Sequence, residues 1–462
     1  MRRALTRLLG LTAALVALAG SPAGEPAGLT ASQRPLRPNI VLVVLDDQGY
    51  GDASCYGAKD LATPHFDALA ASGVRFTQFR VSPLCAPTRA SLLTGLDSLR
   101  AGMWRGPSQR EDVERALKRD VKLLPQYLQE AGYATGIFGK WHLGFRSPGL
   151  PNERGFDEFV GFLGGAHPYQ PRANSRLLHN GQPLATDKHL TDLFGDAAEE
   201  FIRRHADRPF FCYLPFNAVH GPLRSPDRPT DSAKPDWLAR YAHLEPRRRD
   251  YCAVLSHADE RLGRILALLK ELRLDARTLV ICLSDNGGMI EKFPGNNGPL
   301  RGEKGTTYEG GIRVPAAMAW PGVIPPGLVS DAPAMHYDLF ATILEAAGLE
   351  VPPRNGRHPV QGISLLPHLA SSGRTPLPQR TLFWDLFGKM AAVDGRWKIV
   401  GTIDNHHGKW DQALAQIERT SFELYDLSRD LGEQHDLAAQ HPEIAAELKR
   451  RYLAWFRDAT SP

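Results

Sequence analysis

Four oxygen-bearing side chains follow two apolar segments that lie far apart in the chain. Asp46 and Asp47 come directly after the run Ile40–Leu45, and Asp285 and Asn286 end the segment "TLVICLSDN". Three carboxylates held together without a cation would repel one another strongly. All-oxygen ligands suit a hard divalent ion, Ca²⁺ or Mg²⁺, better than zinc. We therefore predict a Ca²⁺ site, with Mg²⁺ as the alternative, although either pair alone fits a helix cap or a turn equally well.

Basic side chains follow other apolar segments and lie in one glycine-rich stretch. Lys140 and His142 follow "ATGIFG", His220 follows "FFCYLPFNAV", and Lys304 lies in "PLRGEKGTTYEGGIRVP". With Arg89, these residues supply positive charge for a tetrahedral anion and groups that transfer protons. The residue types therefore predict an anion site beside the cation.

One cysteine lies where a loop enters a predicted helix. Pro87 suits a first helical turn, and the helical pattern of "CAPTRASLLTG" ends at Gly95. Cys85 would then lie at the helix N-terminus, which lowers the pKa of a thiol and favours a thiolate nucleophile. A thiolate is nevertheless a soft ligand beside a hard ion, so this assignment conflicts with the predicted metal.

The segments that precede these residues alternate with helical patterns. Strands are predicted at Ile40–Leu45 and in "ATGIFGKWHLG", "PFFCYLPFNAVHGP" and "TLVICLSDNGG", and helices at Leu123–Gly132 and Tyr251–Leu272. Apolar, β-branched strands between helices indicate a mostly parallel sheet covered on both faces. The predicted fold class is α/β, with the active site beyond the carboxyl ends of the strands.

We divide the chain into three segments. Residues 1–24 have a basic start and a short apolar run, which is the layout of a secretory signal peptide rather than a membrane anchor. Residues 25–375 form the predicted catalytic domain, and residues 376–462 form a small α+β subdomain with short antiparallel strands and an amphipathic helix from about Pro442. The protein is therefore predicted to be exported, to the periplasm or as a secreted protein, without membrane association after removal of the leader.

Charge and cysteine content narrow the function classes. The net charge of +4 falls to about +1 when the three leader arginines are removed, which gives no electrostatic case for nucleic acid as a partner. The five cysteines form an odd set, so at least one lies outside an internal disulfide. Cys212 and Cys282 lie in apolar strand-like runs, which is typical of buried free thiols.

Several blocks of the sequence resemble one enzyme family. The stretch "PLCAPTRASLLTG" resembles the C-x-P-x-R signature of the type I sulfatases, in the alkaline phosphatase superfamily. The stretch "GYATGIFGKWH" resembles the second signature of that family, and "LDDQGYGD", "SDNGG" and "GEKGTTYEGGIRVP" resemble its other blocks, in order. The resemblance covers nearly the whole mature chain and implies a large, mostly parallel mixed sheet between helices, as in alkaline phosphatase and the sulfatases.

The resemblance also implies how the nucleophile is made. In that family a maturation enzyme oxidises the motif cysteine to Cα-formylglycine, and the hydrate of this aldehyde is the nucleophile. Formylglycine from Cys85 would bind the metal together with four side chains: Asp46, Asp47, Asp285 and Asn286. Another hydroxyl of the hydrate would attack sulfur in line and displace the alcohol. Oxygen in place of sulfur removes the conflict with a hard ion.

The same resemblance implies roles for the basic residues. Arg89 and His142 would support the hydrate, with His142 also helping to expel sulfate and regenerate the aldehyde. Lys140, His220 and Lys304 would hold the sulfate, and either His220 or Lys304 would protonate the leaving oxygen. Every matched position holds the residue type expected of an active enzyme.

The substrate is predicted only as a class. The stretch "GFDEFVGFLGGAHPYQPR" resembles a region of arylsulfatase-like and galactosamine-sulfate sulfatases, and its residues His167, Tyr169 and Arg172 are either sugar contacts or loop structure. Export and family together point to a sulfated carbohydrate, or another small sulfate ester. Two alternatives stay open: a phosphomonoester or phosphonate hydrolase of the same superfamily, and a non-catalytic sulfated-glycan binding protein in which Cys85 is unconverted.

Overall fold

The computed structural model describes residues 37–107, 117–221 and 232–461, so the predicted signal peptide (1–24) lies outside the described residues. The strands are β1 (Asn39–Leu45), β2 (Val74–Phe76), β3 (Phe79–Arg80), β4 (Ala134–Lys140), β5 (Glu158–Phe162), β6 (Leu178–His179), β7 (Gln182–Pro183), β8 (Phe210–Pro215), β9 (Thr278–Ser284), β10 (Ala316–Ala319), β11 (Leu328–Ser330), β12 (Ala334–Met335), β13 (Arg354–Asn355), β14 (His358–Pro359), β15 (Leu382–Leu386), β16 (Lys389–Asp394), β17 (Trp397–Thr402) and β18 (Glu423–Asp426). The α-helices are α1 (Pro64–Ala71), α2 (Cys85–Thr94), α3 (Leu124–Glu130), α4 (Leu190–Arg204), α5 (Pro235–Arg240), α6 (Pro246–Glu271), α7 (Glu309–Ile312), α8 (Asp338–Ala346), α9 (Leu366–Ala370), α10 (Trp410–Arg419) and α11 (Pro442–Thr460). Within the described ranges, none of these helices has the length and apolar character needed to cross a membrane.

A ten-stranded sheet forms the centre of the described chain, in the order β11-β2-β10-β9-β1-β8-β4-β5-β6-β7. Strand β1 pairs in parallel with β8 and β9, and β4 pairs in parallel with β5 and β8. Strands β10 and β6 run antiparallel to their neighbours. The predicted α/β fold with a mostly parallel mixed sheet is confirmed, and the strands predicted from the sequence are the adjacent strands β9, β1, β8 and β4.

Alternate side chains of β1 enter two separate apolar cores. Ile40, Leu42 and Val44 join the core that packs against α2, α3 and α8. The residues between them join the core on the opposite face, which packs against α1, α4 and α6. Every residue of β1 is buried, which explains why the strand is apolar from Ile40 to Leu45 instead of alternating with polar residues.

The C-terminal region forms a second sheet, in which β15, β16, β17 and β18 pair antiparallel in that order. Met390 and Ala392 on one face of β16 pack with α10 and α11, whereas Ala391 and Val393 on the other face pack against Ile312. The antiparallel strands and the terminal helix agree with the sequence pattern, but α10 and β18 were not predicted. Each contributes only a few apolar residues, and their burial is evident only where they pack in the core of this sheet. The domain boundary at residue 375 stays a prediction.

Candidate active site

The candidate active site lies at the carboxyl edge of the four central strands. Asp46 and Asp47 follow β1, Asp285 follows β9, Lys140 ends β4, and His220 lies in the turn after β8. Because these strands are parallel neighbours, their carboxyl ends meet at one edge of the sheet. Side chains from distant parts of the sequence are therefore close together in space.

Two lysines are bound by the adjacent aspartates. Lys140 Nζ donates to Asp46 Oδ2 at 2.6 Å, and Lys304 Nζ donates to Asp47 Oδ1 at 2.6 Å. Burial lowers the pKa of Lys304, but the surrounding negative charges, of which Asp47 is the strongest, together outweigh burial and hold that pKa above its ordinary value. Burial likewise raises the pKa of Asp47, but Lys304 and His220 outweigh it and hold that pKa below its ordinary value. Lys304 and Asp47 are therefore both charged at neutral pH.

Arg89 joins a third carboxylate to strand β4. Its Nε and Nη2 donate to Asp285 Oδ2 at 3.0 and 2.7 Å, and its Nη1 donates to the carbonyl oxygen of Lys140 at 3.1 Å. Burial raises the pKa of Asp285, and the nearby charge of Asp46 raises it further. A divalent cation beside Asp285 would favour the ionised carboxylate and oppose that rise.

Three buried oxygens in this group have no hydrogen-bond partner among the described residues: Asp46 Oδ1, Asp47 Oδ2 and Asn286 Oδ1. Leaving such atoms unpaired in the protein interior is costly, and coordination of a cation would satisfy all three. Asp46, Asp285 and Cys85 also place possible ligand atoms within 4.8 Å of one another. The carboxylate and amide oxygens present fit Ca²⁺ or Mg²⁺. We call Asp46, Asp47, Asp285 and Asn286 the acidic cluster.

Cys85 begins helix α2 and faces His142. Its thiol is buried and lies 3.3 Å from His142 Nδ1. Burial raises the pKa of the Cys85 thiol, but the charges of Lys140 and Lys304 outweigh it, and this pKa lies below its ordinary value. Burial alone dominates at Cys212, whose thiol pKa is raised. All five cysteines are among the described residues and are free thiols, but only Cys85 lies in this cationic setting.

The ring of His142 occupies a space lined by glycines. A Cβ at Gly165 would lie 2.7 Å from the ring, and a Cβ at Gly106 would lie 3.1 Å from it. The φ angle of His142 is 58°, a left-handed conformation that is uncommon for a residue with a side chain. Burial lowers the pKa of His142 well below its ordinary value, and the charges of Lys140 and Arg89 lower it further. The imidazole is therefore neutral at pH 7.

His220 lies in a turn that Tyr169 supports. The buried Tyr169 hydroxyl lies 2.9 Å from the carbonyl oxygens of both Asn217 and His220 and donates to them. His220 Nδ1 donates to the carbonyl oxygen of Gly221 at 2.5 Å, and its Nε2 lies 3.8 Å from Asp47 Oδ2. Tyr169 therefore supports the turn that carries His220, and its contact with a sugar stays a prediction.

The other two residues predicted as sugar contacts line a cavity of about 820 Å³. His167 packs against Phe162, with ring centroids 5.2 Å apart, and its Nδ1 donates to the carbonyl oxygen of Pro168 at 2.8 Å. Arg172 is exposed on the same cavity wall. These two residues stay candidates for substrate contact.

Residues of the C-terminal sheet support the loop that carries Lys304. Lys389 Nζ donates to the carbonyl oxygen of Gly305 at 2.7 Å, and Thr307 Oγ1 donates to the carbonyl oxygen of Met390 at 3.2 Å. We did not predict these contacts, because a lysine in a strand and a threonine in a glycine-rich loop carry no distinctive signal. Only the docking of the second sheet reveals them.

The sheet topology, together with charged groups gathered at its carboxyl edge, defines the class of alkaline phosphatase-like hydrolases. The sulfatase family model matches residues 38–349, and the model for the C-terminal region of N-sulphoglucosamine sulphohydrolase matches residues 302–457. Because the first match spans most of the chain, this protein belongs to the sulfatase family and is a sulfuric ester hydrolase.

Individual relatives match almost end to end. Human (Homo sapiens) N-acetylgalactosamine-6-sulfatase is 35% identical over 468 residues, covering 92% of this chain and 86% of the relative. Human arylsulfatase A is 32% identical and covers 90% of this chain and 87% of the relative. Among solved structures, that of Ps i-CgsB superposes with a TM-score of 0.81 at 30% identity, covering 92% of this chain and 93% of the other. A similar match is the same protein in complex with k-i-k-neocarrahexaose.

Proposed function

We propose that this sulfatase hydrolyses sulfate esters of saccharides, using a formylglycine made from Cys85 and a bound Ca²⁺, with Mg²⁺ as the alternative. The observation that carries the proposal is the position of Cys85, which opens helix α2 against His142 and beside Asp46 and Asp285. The saccharide class is supported by the relatives, which include an N-acetylgalactosamine-6-sulfatase and an enzyme crystallised with a neocarrahexaose.

The proposed cation is held by the acidic cluster. When bound, it would polarise a sulfate oxygen and favour an anionic oxygen at position 85. The three carboxylates of the cluster are already paired with Lys140, Lys304 and Arg89. A divalent ion would therefore give the site a net positive charge, which favours binding of a sulfate group over a neutral one.

The residues around position 85 have distinct proposed tasks. Formylglycine, as its hydrate, would supply the oxygen nucleophile that a thiol does not offer. His142 is neutral and lies 3.3 Å from the Cys85 sulfur, so its Nδ1 is placed to accept a proton from the group at this position. Arg89 holds Asp285 in orientation through two hydrogen bonds and remains charged.

Sulfate binding and leaving-group protonation are assigned to different side chains. Lys140 and Lys304 supply fixed positive charge on either side of the aspartates. His220 uses Nδ1 to donate to Gly221, so its Nε2 faces the site. In the imidazolium form Nε2 also carries a proton, which this atom would deliver to the leaving alcohol, leaving the neutral ring. We therefore assign the leaving-group acid to His220 and sulfate binding to both lysines.

The proposal extends to processing and organisation of the chain. A formylglycine-generating maturation enzyme would act on Cys85 before the enzyme works, and the leader 1–24 would direct export. The catalytic residues would belong to a domain of residues 25–375. A C-terminal subdomain, residues 376–462, would support the Lys304 loop through Lys389.

Two measurements on protein from its native host test the proposal. Mass spectrometry of the peptide containing Cys85 is expected to show the aldehyde in place of the thiol. An unmodified thiol would instead support the alternative of a non-catalytic sulfated-glycan binding protein. Rates on an aryl sulfate and the matching aryl phosphate are then compared. We expect a clear preference for sulfate, and a preference for phosphate would favour the phosphomonoesterase or phosphonate hydrolase alternative.

A further inference from the structure

A cavity of about 820 Å³ adjoins the segments that hold both candidate catalytic histidines. Leu163 lines the cavity, and its carbonyl oxygen accepts a hydrogen bond from the backbone N–H of His142 at 3.2 Å. His167 also lines it, and its carbonyl oxygen accepts from Asn217 Nδ2 at 3.3 Å, in the turn that leads to His220. The cavity therefore lies beside the reacting centre, and its volume is typical of small-molecule sites.

In the described part of the chain, the charged residues that line the cavity are all arginines. Arg146, Arg172 and Arg176 are exposed side chains that line it, and the described residues lining it include neither aspartate nor glutamate. A guanidinium group matches the geometry of a carboxylate or a sulfate and pairs with either through two parallel hydrogen bonds. Leu163 and Pro168 add apolar wall against which the face of a sugar ring can pack.

We propose that this cavity binds a second anionic group, carried by the sugar next to the one whose sulfate ester is hydrolysed. The proposal rests on the proposed sulfatase function, because the reacting sulfate must lie beside Cys85 for the neighbouring sugar to enter the cavity. Sulfate and carboxylate share the recognising chemistry, so either group serves as the anion. The enzyme then selects saccharides with a charge on two neighbouring sugars over those with one.

The kinetic test uses three disaccharides that share the same 6-sulfated N-acetylgalactosamine and differ in the neighbouring sugar: neutral, carboxylated or sulfated. We expect kcat/KM to be about tenfold higher for the charged neighbours than for the neutral one. In the variants Arg146→Ala and Arg172→Ala this advantage is expected to shrink, and Arg146→Lys is expected to restore part of it. Arg419→Ala, at an exposed arginine of helix α10 that does not line the cavity, is the matched control and should leave the advantage unchanged.

The three substrates also identify the anion. An advantage for only the carboxylated or only the sulfated neighbour supports the proposal and names the group. Equal kcat/KM for all three disaccharides would overturn it. So would an equal loss on all three after substitution of the arginines, because that result indicates damage to the reacting centre.

A binding measurement separates this proposal from the proposed function. The Cys85→Ala protein is titrated calorimetrically with the same disaccharides, so that no turnover is required. We expect the charged neighbour to raise affinity about tenfold, and expect Arg146→Ala in this background to remove the gain. If the mature enzyme releases sulfate from none of the substrates, the proposed function fails. The gain in affinity measured by calorimetry still tests whether the cavity binds the second anionic group. Absence of that gain overturns the cavity proposal alone.

Discussion

Two groups of buried charges in this molecule differ in how completely their oxygens are paired. In the Glu309 cluster (Glu309, Arg80, Arg313 and Lys398), Oε1 of Glu309 accepts from Lys398 at 3.0 Å, and Oε2 accepts from Arg80 at 2.9 Å and Arg313 at 3.4 Å. In the acidic cluster, one oxygen each of Asp46, Asp47 and Asn286 lacks a partner among the described residues. Both oxygens of Glu309 are paired within the protein, whereas the acidic cluster has oxygens that the proposed cation would pair.

The difference separates a structural ion cluster from a functional one. Burial raises the pKa of Glu309, but Arg80 and Lys398 outweigh it, and its pKa is held below the ordinary value of 4.5. At Asp285, burial and a like charge prevail, and its pKa is raised. Cations of the protein hold the Glu309 carboxylate in its charged form, whereas the proposed cation would stabilise the charged form of Asp285.

The largest expected effect is that of Cys85→Ala on turnover. Loss of the nucleophile is expected to lower kcat by at least about a thousandfold, while the unfolding transition changes little. Sulfate release and thermal unfolding measure the two properties. Cys55→Ala, at a half-buried thiol, is the control and should keep its activity. A Cys85→Ala protein with the rate of the wild type would refute the role of this residue.

Glu309→Gln is expected to affect stability strongly. Removing the carboxylate leaves Arg80 as a buried charge without its carboxylate partner, whereas Lys398 keeps its ion pair with Glu433 at 2.8 Å. The free energy of unfolding should therefore fall by about 3–5 kcal/mol. Because the folded pKa of Glu309 is below 4.5, its contribution is present above pH 4.5 and lost as the pH falls below it. Chemical denaturation at pH 7 and pH 4 should therefore show a smaller difference between variant and wild type at the lower pH. A constant difference would contradict this assignment.

Calcium is expected to stabilise the protein through the acidic cluster. At a calcium concentration about one hundred times the dissociation constant, mass action adds about 2.7 kcal/mol to the free energy of unfolding. Thermal unfolding after chelation and after calcium addition measures this rise. Asp46→Asn should abolish the rise. Glu309→Gln should show the same rise, although its unfolding temperature without calcium is lower than that of the wild type. A calcium response that Asp46→Asn leaves intact would place the ion elsewhere.

Lys304 and His220 should respond differently to the leaving group. Lys304→Ala removes charge that binds sulfate, so kcat/KM is expected to fall by about a hundredfold on both a saccharide sulfate and 4-nitrophenyl sulfate. His220→Ala should cost far less on the nitrophenyl ester, because its leaving group needs no proton. Lys270→Ala, an exposed lysine near the end of α6, is the control. The reverse pattern would assign the acid to Lys304.

The smallest effect is expected for Tyr169→Phe. Losing its hydrogen bonds to the turn that holds His220 should lower kcat by about five- to tenfold with little change in KM. Tyr133→Phe is a matched control, because the Tyr133 hydroxyl has no partner in the described part of the chain. If the two substitutions have equal effects, Tyr169 does not position the histidine.

The sequence by itself determined the α/β fold, the main strands and the list of candidate site residues. It did so because a strand buried on both faces must be apolar, as in Ile40–Leu45, and because the polar residue that ends such a strand is conspicuous. The resemblance in "CAPTR" then indicated the sulfatase family before any geometry was known.

Only the tertiary structure decided which of those residues meet and which atoms remain unpaired. Tyr169 is separated from Asn217 and His220 by dozens of residues, and its role depends on packing that no local pattern encodes. The same holds for Glu309 and Asp285, which are both acidic residues that precede a glycine by one or two positions in the sequence. Their difference lies in whether distant cations pair with every carboxylate oxygen, and strand order and the docking of the second sheet decide this.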